Sequence, residues 1–320
     1  MKIARYLHNG FAHVGVVNDH GRLLNLPTRL SVLEVLALPI RERNLIEAQA
    51  GRLFNTSIDK VHFLPPVEPR AMRDFVAFEA HIAGMKKSEG GTGKIPQAWF
   101  DVPVFIFMNP WSLTHPNADV PMPPHTKALD FELEVAAVVL KPARDVSVEN
   151  AGEFIAGYTL FNDWSARDIQ RHEMSVGLGP SKGKDFANTM GPWITTPDEL
   201  EKYRVGDRLD LEMTVSVNGV ELGRDSTKNM SWNFEELLVH ASRDAMVGPG
   251  DVLASGTCSG GALSEKWSRS GSQTPPPLQV GDVVEMTVTG LGSIKNRIVE
   301  TVSPGHMAPP AKRTYSEDML

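Results

Sequence analysis

Apolar residues recur along the chain with two different periods, and the pattern changes near residue 67. Residues 1–6 and 11–17 alternate as short β-strands, whereas residues 31–38 and 41–50 carry apolar side chains at helical spacing. The proline-rich segment 64–69 then interrupts regular structure, because proline lacks a backbone donor and restricts the residue before it. We therefore predict a small N-terminal α/β domain over residues 1–67.

From residue 130 onward the pattern predicts mainly strands. These cover residues 131–140, 157–162, 209–217, 251–255 and 283–289, and fewer helices are predicted, at 147–156, 164–173 and 233–241. Asn218 and Gly219 follow an alternating run and predict a two-residue hairpin turn into a short partner strand. The pattern favours an α+β fold with a mixed, rolled sheet over residues 68–320. Its last segment, 303–320, is expected to be a tail or an arm laid on a neighbouring subunit.

Residues 84–93 combine glycines, lysines and a Ser-Glu pair, which predicts a mobile surface loop that could act as a lid. The Gly93-Lys94 pair also invites comparison with a phosphate-binding loop. That motif needs glycine at the position of Ser88 and Ser or Thr at the position of Ile95. A phosphate-binding loop is therefore excluded.

Composition and charge narrow the class of function. With 41% hydrophobic residues among 320, the chain can bury a sizeable core, and its formal charge of −7 offers no attraction to nucleic acid or anionic lipid. Neither a signal-peptide core nor a membrane-spanning run is found, so we expect a cytoplasmic protein whose partner is a small molecule. The single cysteine, Cys258, cannot form an internal disulfide and is interpreted as structural.

Candidate chemistry begins at Glu132 and Glu134. They lie two residues apart on a predicted strand and therefore project to the same face. The strand continues with apolar residues, so this face is expected to be buried, and two buried carboxylates require a compensating cation. An isolated Glu-x-Glu motif is more typical of an exposed sheet face, so both interpretations stay open at this point.

A third carboxylate, Asp163, falls at a predicted strand-to-helix junction about thirty residues later. If the two strands are joined as in a βαβ unit, Asp163 ends beside Glu132 and Glu134. Three carboxylates could then bind one metal ion. Ligation by oxygen alone favours Mg²⁺, Mn²⁺ or Ca²⁺ over Zn²⁺.

Together these motifs resemble the fumarylacetoacetate hydrolase family. The resemblance spans residues 73–299 and rests on motifs that occur in the family's order: Glu132-x-Glu134, the Asn-Asp-Trp-Ser-Ala-Arg-Asp-Ile-Gln block at 162–170, Gly-Lys-Asp-Phe at 183–186 and Leu-Ala-Ser-Gly-Thr at 253–257. It implies a mixed β-roll catalytic domain, a homodimer or higher assembly, and a divalent metal, Mg²⁺ or Mn²⁺, held by Glu132, Glu134 and Asp163.

The resemblance also implies residues that contact the substrate or its developing negative charge. These are Arg167, Gln170, Lys184 and Thr257. Cationic and donor groups of this kind stabilise an enolate. From the residues alone, Lys184 could be an ordinary surface lysine, and Arg167 could be a structural ion-pair partner of Asp168 or Glu173.

His81 matches a family histidine that activates water with the help of a glutamate. In fumarylacetoacetase this glutamate follows the Ser-Gly-Thr motif, which indicates Glu265 here. Shorter relatives place an acid three residues after the histidine, where this chain has Gly84, and Glu79 is a weaker candidate. The acid would fix the imidazole tautomer and stabilise the imidazolium.

Three positions depart from fumarylacetoacetase itself. Our alignment puts Ala77 at the place of a fourth metal carboxylate, and Glu79 and Met174 at the places of substrate-contacting tyrosines. The chain therefore resembles the broader acylpyruvase and isomerase branch. The expected activity is carbon–carbon hydrolysis of a small 2-oxo or 1,3-dicarbonyl acid. Decarboxylation, isomerisation or hydration at the same metal site is the nearest alternative, and a non-catalytic binding subunit is a further one.

Overall fold

The computed structural model describes residues 1–88, 94–302 and 305–311, and strands dominate them. In chain order the strands are β1 Lys2–His8, β2 Phe11–Val17, β3 Arg22–Asn25, β4 Asn55–Ser57, β5 His62–Leu64, β6 Met72–Phe75, β7 Phe105–Met108, β8 Leu113–Thr114, β9 Val120–Pro121, β10 Leu129–Asp130, β11 Leu133–Val139, β12 Ile155–Asp163, β13 Ser165–Ala166, β14 Asn188–Met190, β15 Ile194–Thr195, β16 Arg204–Val205, β17 Arg208–Leu209, β18 Glu212–Val217, β19 Val220–Ser226, β20 Val252–Ala254, β21 Val283–Val288 and β22 Gly292–Val299.

The helices are short and lie between the strands. They are α1 Val32–Ala37, α2 Ile40–Glu47, α3 Glu79–Ser88, α4 Gln97–Asp101, α5 Val148–Ala151, α6 Arg167–Met174, α7 Pro197–Leu200, α8 Phe234–Ser242 and α9 Leu263–Ser270, with single 3-10 turns at Ile58–Lys60, Pro110–Ser112, Gly152–Phe154, Glu201–Tyr203 and Thr227–Asn229. None of the helices in the described ranges reaches the length and apolar content needed to cross a bilayer.

Two sheets organise the fold. The larger follows the order β4-β3-β2-β1-β15-β12-β11-β20-β6-β7, and the smaller follows β19-β18-β21-β22-β9. Most neighbouring strands are antiparallel, but β20 and β6 are parallel, as are β22 and β9. The predicted α+β class with a mixed sheet is therefore confirmed.

The N-terminal strands extend the larger sheet. Lys2 of β1 pairs with Thr195 of β15, and Ile3 packs in one apolar cluster with Val138 and Ile194. These contacts join residues before and after position 67. The boundary at residue 67 stays a prediction.

The central strand β11 explains why the site is buried. All seven of its residues are buried, as expected for a strand covered on both faces. Its neighbour β12 is antiparallel to it, with Leu133 opposite Asn162. The βαβ arrangement expected for these two strands is therefore wrong. Their connection is only the short α5 and a 3-10 turn, which returns the chain antiparallel.

Local predictions near turns and chain ends have mixed outcomes. Asn218 and Gly219 both adopt positive φ, 52° and 79°, as the predicted hairpin turn requires, but the partner strand β19 has seven residues and is not short. The expected loop at 84–93 is wrong for residues 84–88, which end helix α3, and residues 89–93 lie outside the described ranges. In the expected tail, residues 305–311 have no regular structure, and the other residues of 303–320 are outside the described ranges.

Candidate active site

Three buried carboxylates converge where β11, β20 and β6 of the larger sheet are neighbours. One ligand oxygen each from Asp74, Glu132 and Glu134 lies within 4.8 Å of the others. The sheet register brings them together, because Ala254 of β20 is opposite both Ala136 of β11 and Asp74 of β6. The glutamates are thus on a buried face, and the exposed-face interpretation is wrong for them.

Asp74 was missed by the sequence analysis. The sequence comparison puts Ala77 at the place of the family's fourth carboxylate, whereas the structure supplies a carboxylate from Asp74, three residues earlier. The signal available in the sequence was an acid directly before the uncharged run 75–78, seven residues before His81. An acid in a fully buried strand requires a partner for its charge.

Burial and mutual repulsion dominate the electrostatics of this cluster. Burial, together with the charge of Glu132, raises the pKa of Asp74 to about 7. Burial likewise raises the pKa of Glu134 well above its usual range, and repulsion from Asp74, Glu132 and Asp163 adds to it. Without a cation, these carboxyls are therefore held partly in the neutral state.

Unsatisfied oxygens show that the cluster fits a metal ion. Asp74 Oδ1 and Glu134 Oε1 are buried and find no hydrogen-bond partner among the described residues. A buried carboxylate oxygen without a partner costs free energy, and a cation bound by this cluster would remove that cost. The donor set consists of oxygen alone, which suits a hard divalent cation.

Asp163 lies next to this cluster and is paired with a lysine. Its backbone N–H donates to the carbonyl of Glu132 at 3.3 Å, and its Oδ2 accepts a hydrogen bond from Lys184 Nζ. Lys184 Nζ also donates to Glu132 Oε2. Of the three predicted metal ligands, Glu132 and Glu134 lie together with Asp74. The third, Asp163, is hydrogen-bonded to Lys184.

Lys184 is buried, so it is not the surface lysine that the residues alone would suggest. Burial disfavours its charge, but Asp163 and Glu132 outweigh this and raise its pKa. For Glu132 the balance is reversed: burial would raise the pKa of this carboxyl, yet the cations Arg167 and Lys184 hold it well below its usual range. Glu132 is therefore the permanently ionised member of the cluster.

Arg167 connects three site elements. Its Nη2 donates to Glu132 at 2.7 Å, its Nε donates to Asp130 at 2.8 Å, and its Nη1 donates to Gln170 at 3.1 Å. Its ion-pair partners are therefore neither Asp168 nor Glu173. Asp168 instead accepts from Thr126 and from the backbone of Lys127, and Glu173 accepts from the segment 181–183.

His81 and Glu265 form a buried pair, as predicted from the sequence. His81 Nδ1 lies 2.9 Å from Glu265 Oε2, and both side chains are nearly inaccessible to solvent. Glu79, the weaker candidate partner, is exposed on the first turn of α3. The N–H of Leu133, the residue between Glu132 and Glu134, donates to the carbonyl of Gly261 at 3.0 Å, and the N–H of Gly260 donates to Glu265 Oε2 at 2.7 Å, so the pair lies close to the carboxylate cluster.

Gly84 explains why the acid of this pair comes from α9. A Cβ on Gly84 would lie 2.8 Å from Glu265 Cγ, which is closer than real side chains approach. The absence of a side chain on α3 therefore leaves the space that Glu265 fills. The position three residues after His81 therefore has no room for an acidic side chain beside Glu265.

Asp130 anchors the helix that carries Glu265. It is fully buried, and its carboxylate accepts the backbone N–H groups of Leu263 and Ser264 at 2.8 and 3.0 Å. These are orphan donors at the first turn of α9, which a carboxylate satisfies well. Asp130 thereby ties α9 to Arg167 and through it to Glu132.

The remaining predicted residues lie around this core. Thr257 and Cys258 are buried directly after β20, and Gln170 is half-buried on α6. Gly183 packs against Gln170 so closely that a Cβ would lie 2.7 Å from its backbone. Burial raises the pKa of the Cys258 thiol well above its usual value, which agrees with a structural role.

Comparison with known proteins places the chain among enzymes of one family. Residues 70–299 match the family described as fumarylacetoacetate (FAA) hydrolase C-terminal. A 2,4-didehydro-3-deoxy-L-rhamnonate hydrolase of Sphingomonas sp. (strain SKA58) is 33% identical over 189 residues, covering 59% of this chain and 62% of the relative. A fumarylacetoacetase of Arabidopsis thaliana is 30% identical over 275 residues, covering 73% of this chain and 62% of the relative. This chain thus spans less than two thirds of the length of both relatives.

Solved structures share the fold. A fumarylacetoacetate hydrolase from Exiguobacterium antarcticum superposes with a TM-score of 0.71 at 27% identity, covering 94% of this chain and all of the other. A 2-hydroxyhepta-2,4-diene-1,7-dioate isomerase from Mycobacterium marinum gives a TM-score of 0.67 at 22% identity, covering 95% of this chain and 100% of the other. Family match, fold and buried acidic cluster agree. This chain belongs to the fumarylacetoacetate hydrolase family and is not a close copy of fumarylacetoacetase itself.

Proposed function

We propose that this protein is a divalent-metal-dependent hydrolase that cleaves a carbon–carbon bond of a small acylpyruvate or 1,3-diketo acid. The observation that carries the proposal is the buried His81–Glu265 pair, with 2.9 Å between Nδ1 and Oε2 and with Glu265 on a helix that Asp130 and Arg167 link to Glu132 of the carboxylate cluster. A general base beside a cation site is the arrangement needed to activate water next to a bound oxo acid.

Asp74, Glu132 and Glu134 are the residues that would hold Mg²⁺ or Mn²⁺, with Ca²⁺ as an alternative. Asp163 becomes a fourth ligand in this proposal if Lys184 turns from it toward the substrate. When bound, the cation supplies Lewis-acid and template chemistry for a chelating oxo acid. It would also neutralise the repulsion that keeps the pKa of Glu134 high.

His81 and Glu265 would move the proton of the attacking water. An ionised carboxylate only accepts hydrogen bonds, so His81 Nδ1 is the donor in this pair and Nε2 carries the free lone pair. Nε2 takes the proton from water, and the resulting imidazolium is stabilised by Glu265. The same proton is then available for the leaving carbon.

Four polar side chains would stabilise negative charge on the oxygens of the expelled enolate: Lys184, Gln170, Arg167 and Thr257. The Lys184 ammonium is kept protonated by Asp163 and Glu132, so it is always available as a donor. Arg167 is already fixed by Asp130, which lowers the reorganisation needed when charge develops.

Turnover of a substrate panel tests this function. Loss of enol absorbance is followed for acylpyruvates, 1,3-diketo acids and oxaloacetate with Mg²⁺ or Mn²⁺, with a chelator control and product identification. We expect chelator-sensitive formation of two acids, and a fall in kcat of about 10²–10⁴-fold for His81→Gln and Glu265→Gln. Glu153→Gln, which removes an exposed carboxylate paired with Lys141, should keep the activity.

The second candidate is a lyase or isomerase reaction at the same site. The carboxylate cluster and Lys184 suffice to stabilise an enolate without an attacking water, and isomerases occur among the structures that share this fold. Products that are CO₂ or an isomer, with His81→Gln still active, would favour this candidate and contradict the hydrolase proposal.

We also propose that the protein forms a homodimer, which the resemblance to the family supports. A cytoplasmic location is part of the same proposal. Light scattering of the purified protein should give twice the monomer mass of 35.1 kDa. A monomer with full turnover would contradict the dimer without affecting the proposed chemistry.

A further inference from the structure

The two oxygens of the Glu265 carboxylate have different partners. Oε2 accepts from His81 and from the backbone N–H of Gly260 at 2.7 Å. Oε1 accepts from Arg269 Nη2 and, at the long distance of 3.4 Å, from the hydroxyl of Ser259. The oxygen that does not face His81 therefore depends mainly on Arg269.

Arg269 lies on the solvent-facing side of the buried His81–Glu265 pair. Its side chain is 53% exposed, whereas that of Glu265 is 1% exposed. The two residues are four positions apart on α9, with the acid on the N-terminal side, which is the favourable order for a helical ion pair. Gly271 ends the helix in the left-handed conformation at φ 70°, so Arg269 is in the last turn.

We propose that Arg269 is a positioning residue for Glu265, and through Glu265 for the His81 imidazole. This inference rests on the proposed function, in which His81 and Glu265 are the base. Arg269 fixes the rotation of the carboxylate about its terminal bond, so that Oε2 stays aligned with His81 Nδ1. It touches neither the substrate nor the reacting atoms.

The physical reason is the asymmetry of the remaining partners. Without Arg269, Oε1 would be a nearly buried carboxylate oxygen with one weak hydroxyl contact, which costs free energy. The carboxylate could recover by rotating toward Ser259 or by binding a proton, and either response removes the alignment with His81. The pKa of Glu265 reflects the same contacts. Burial would raise it, but His81, the Gly260 N–H and Arg269 together lower it.

Three variants of Arg269 and Glu265 test the proposal with a substrate turned over by the wild-type protein. We expect Arg269→Gln to lower kcat about 10-fold, with KM changed less than 2-fold, because a misaligned base affects the chemical step and not substrate binding. Arg269→Lys, which keeps a cation in reach, should recover most of the lost kcat. In the Glu265→Gln background, adding Arg269→Gln should cause no further loss.

A matched control is Arg204→Gln, which removes an exposed ion pair with Glu201 three residues away, and it should leave kcat unchanged. Unchanged kcat in Arg269→Gln, or an additional loss in the Glu265→Gln background, would overturn the positioning role. Full turnover by Glu265→Gln alone would instead overturn the proposed base, which separates the two failures.

Discussion

Gly84 controls how closely α3 approaches the Glu265 side chain. A methyl group at this position would meet Glu265 Cγ at 2.8 Å, so Gly84→Ala forces the Glu265 side chain, α3 or α9 to move. We expect a loss of about 1–3 kcal/mol in the free energy of unfolding and a clear fall in kcat. Thermal unfolding and turnover measure both effects.

The matched control for this substitution is Gly152→Ala. Gly152 has helical φ and ψ, and the nearest atom to its Cβ would be 3.9 Å away, so alanine should be neutral or slightly stabilising there. Normal kcat in Gly84→Ala would show that Glu265 does not depend on the close contact.

The Cys258 thiol should be protected while the protein is folded. Burial raises its pKa above the usual value near 9, so the folded state keeps a proton that the unfolded state has lost at alkaline pH. The free energy of unfolding therefore falls as pH rises through the usual thiol value. A thiol reagent at pH 8 should react only after denaturant is added.

Comparison of wild type with Cys258→Ala isolates this contribution. Above pH 9, the stability of the wild type should fall more steeply than that of the variant. Rapid labelling of the native protein at pH 8 would contradict a buried structural thiol.

At the scale of secondary-structure elements, one acidic side chain joins a strand to a helix. Asp130 ends β10, accepts two N–H groups from the start of α9 and holds Arg167. Asp130→Ala should lower the free energy of unfolding by about 3 kcal/mol, since it leaves buried donors and an arginine without a main partner. The exposed Asp119→Ala is the control, and both are measured by chemical denaturation.

Measuring activity separates the loss of stability caused by Asp130→Ala from the displacement of α9. At a temperature where the variant is folded, kcat should still fall, because α9 carries Glu265. A destabilised Asp130→Ala with wild-type kcat would indicate that the link serves stability only.

At the scale of the whole molecule, the buried carboxylate cluster makes stability depend on a cation. Asp74, Glu132 and Glu134 are buried together near the centre of the larger sheet, where repulsion is costly without positive charge. Mg²⁺ or Mn²⁺ at about 100 times its Kd should stabilise the protein by about 2.7 kcal/mol and raise Tm by roughly 5 °C.

Glu134→Gln provides the comparison. It should raise Tm in chelator, because the wild-type carboxyl must either take up a proton or be repelled by its neighbours when it is buried, and it should lose most of the metal-induced increase. Equal metal-induced shifts in wild type and variant would place the cation elsewhere.

Much of this protein follows from its sequence. The alternation of apolar residues predicted the main strands, Asn218 and Gly219 predicted the turn between β18 and β19, and the spacing of motifs predicted the family. The pairing of His81 with Glu265 was also expected, because the family places both residues at recognisable motifs. These features are encoded locally or by residue type at fixed spacing, so they can be read without knowing which strands are neighbours.

Only the tertiary structure showed which side chains meet. Asp74 joins Glu132 and Glu134 because β20 pairs with both β11 and β6, and this strand order is set by packing of the whole sheet. The same packing pairs Arg167 with the carboxylates of Asp130 and Glu132, and not with the acids Asp168 and Glu173 of its own helix. The sequence therefore determined the types of element and the chemistry available. Long-range strand pairing decided which charges share one buried space.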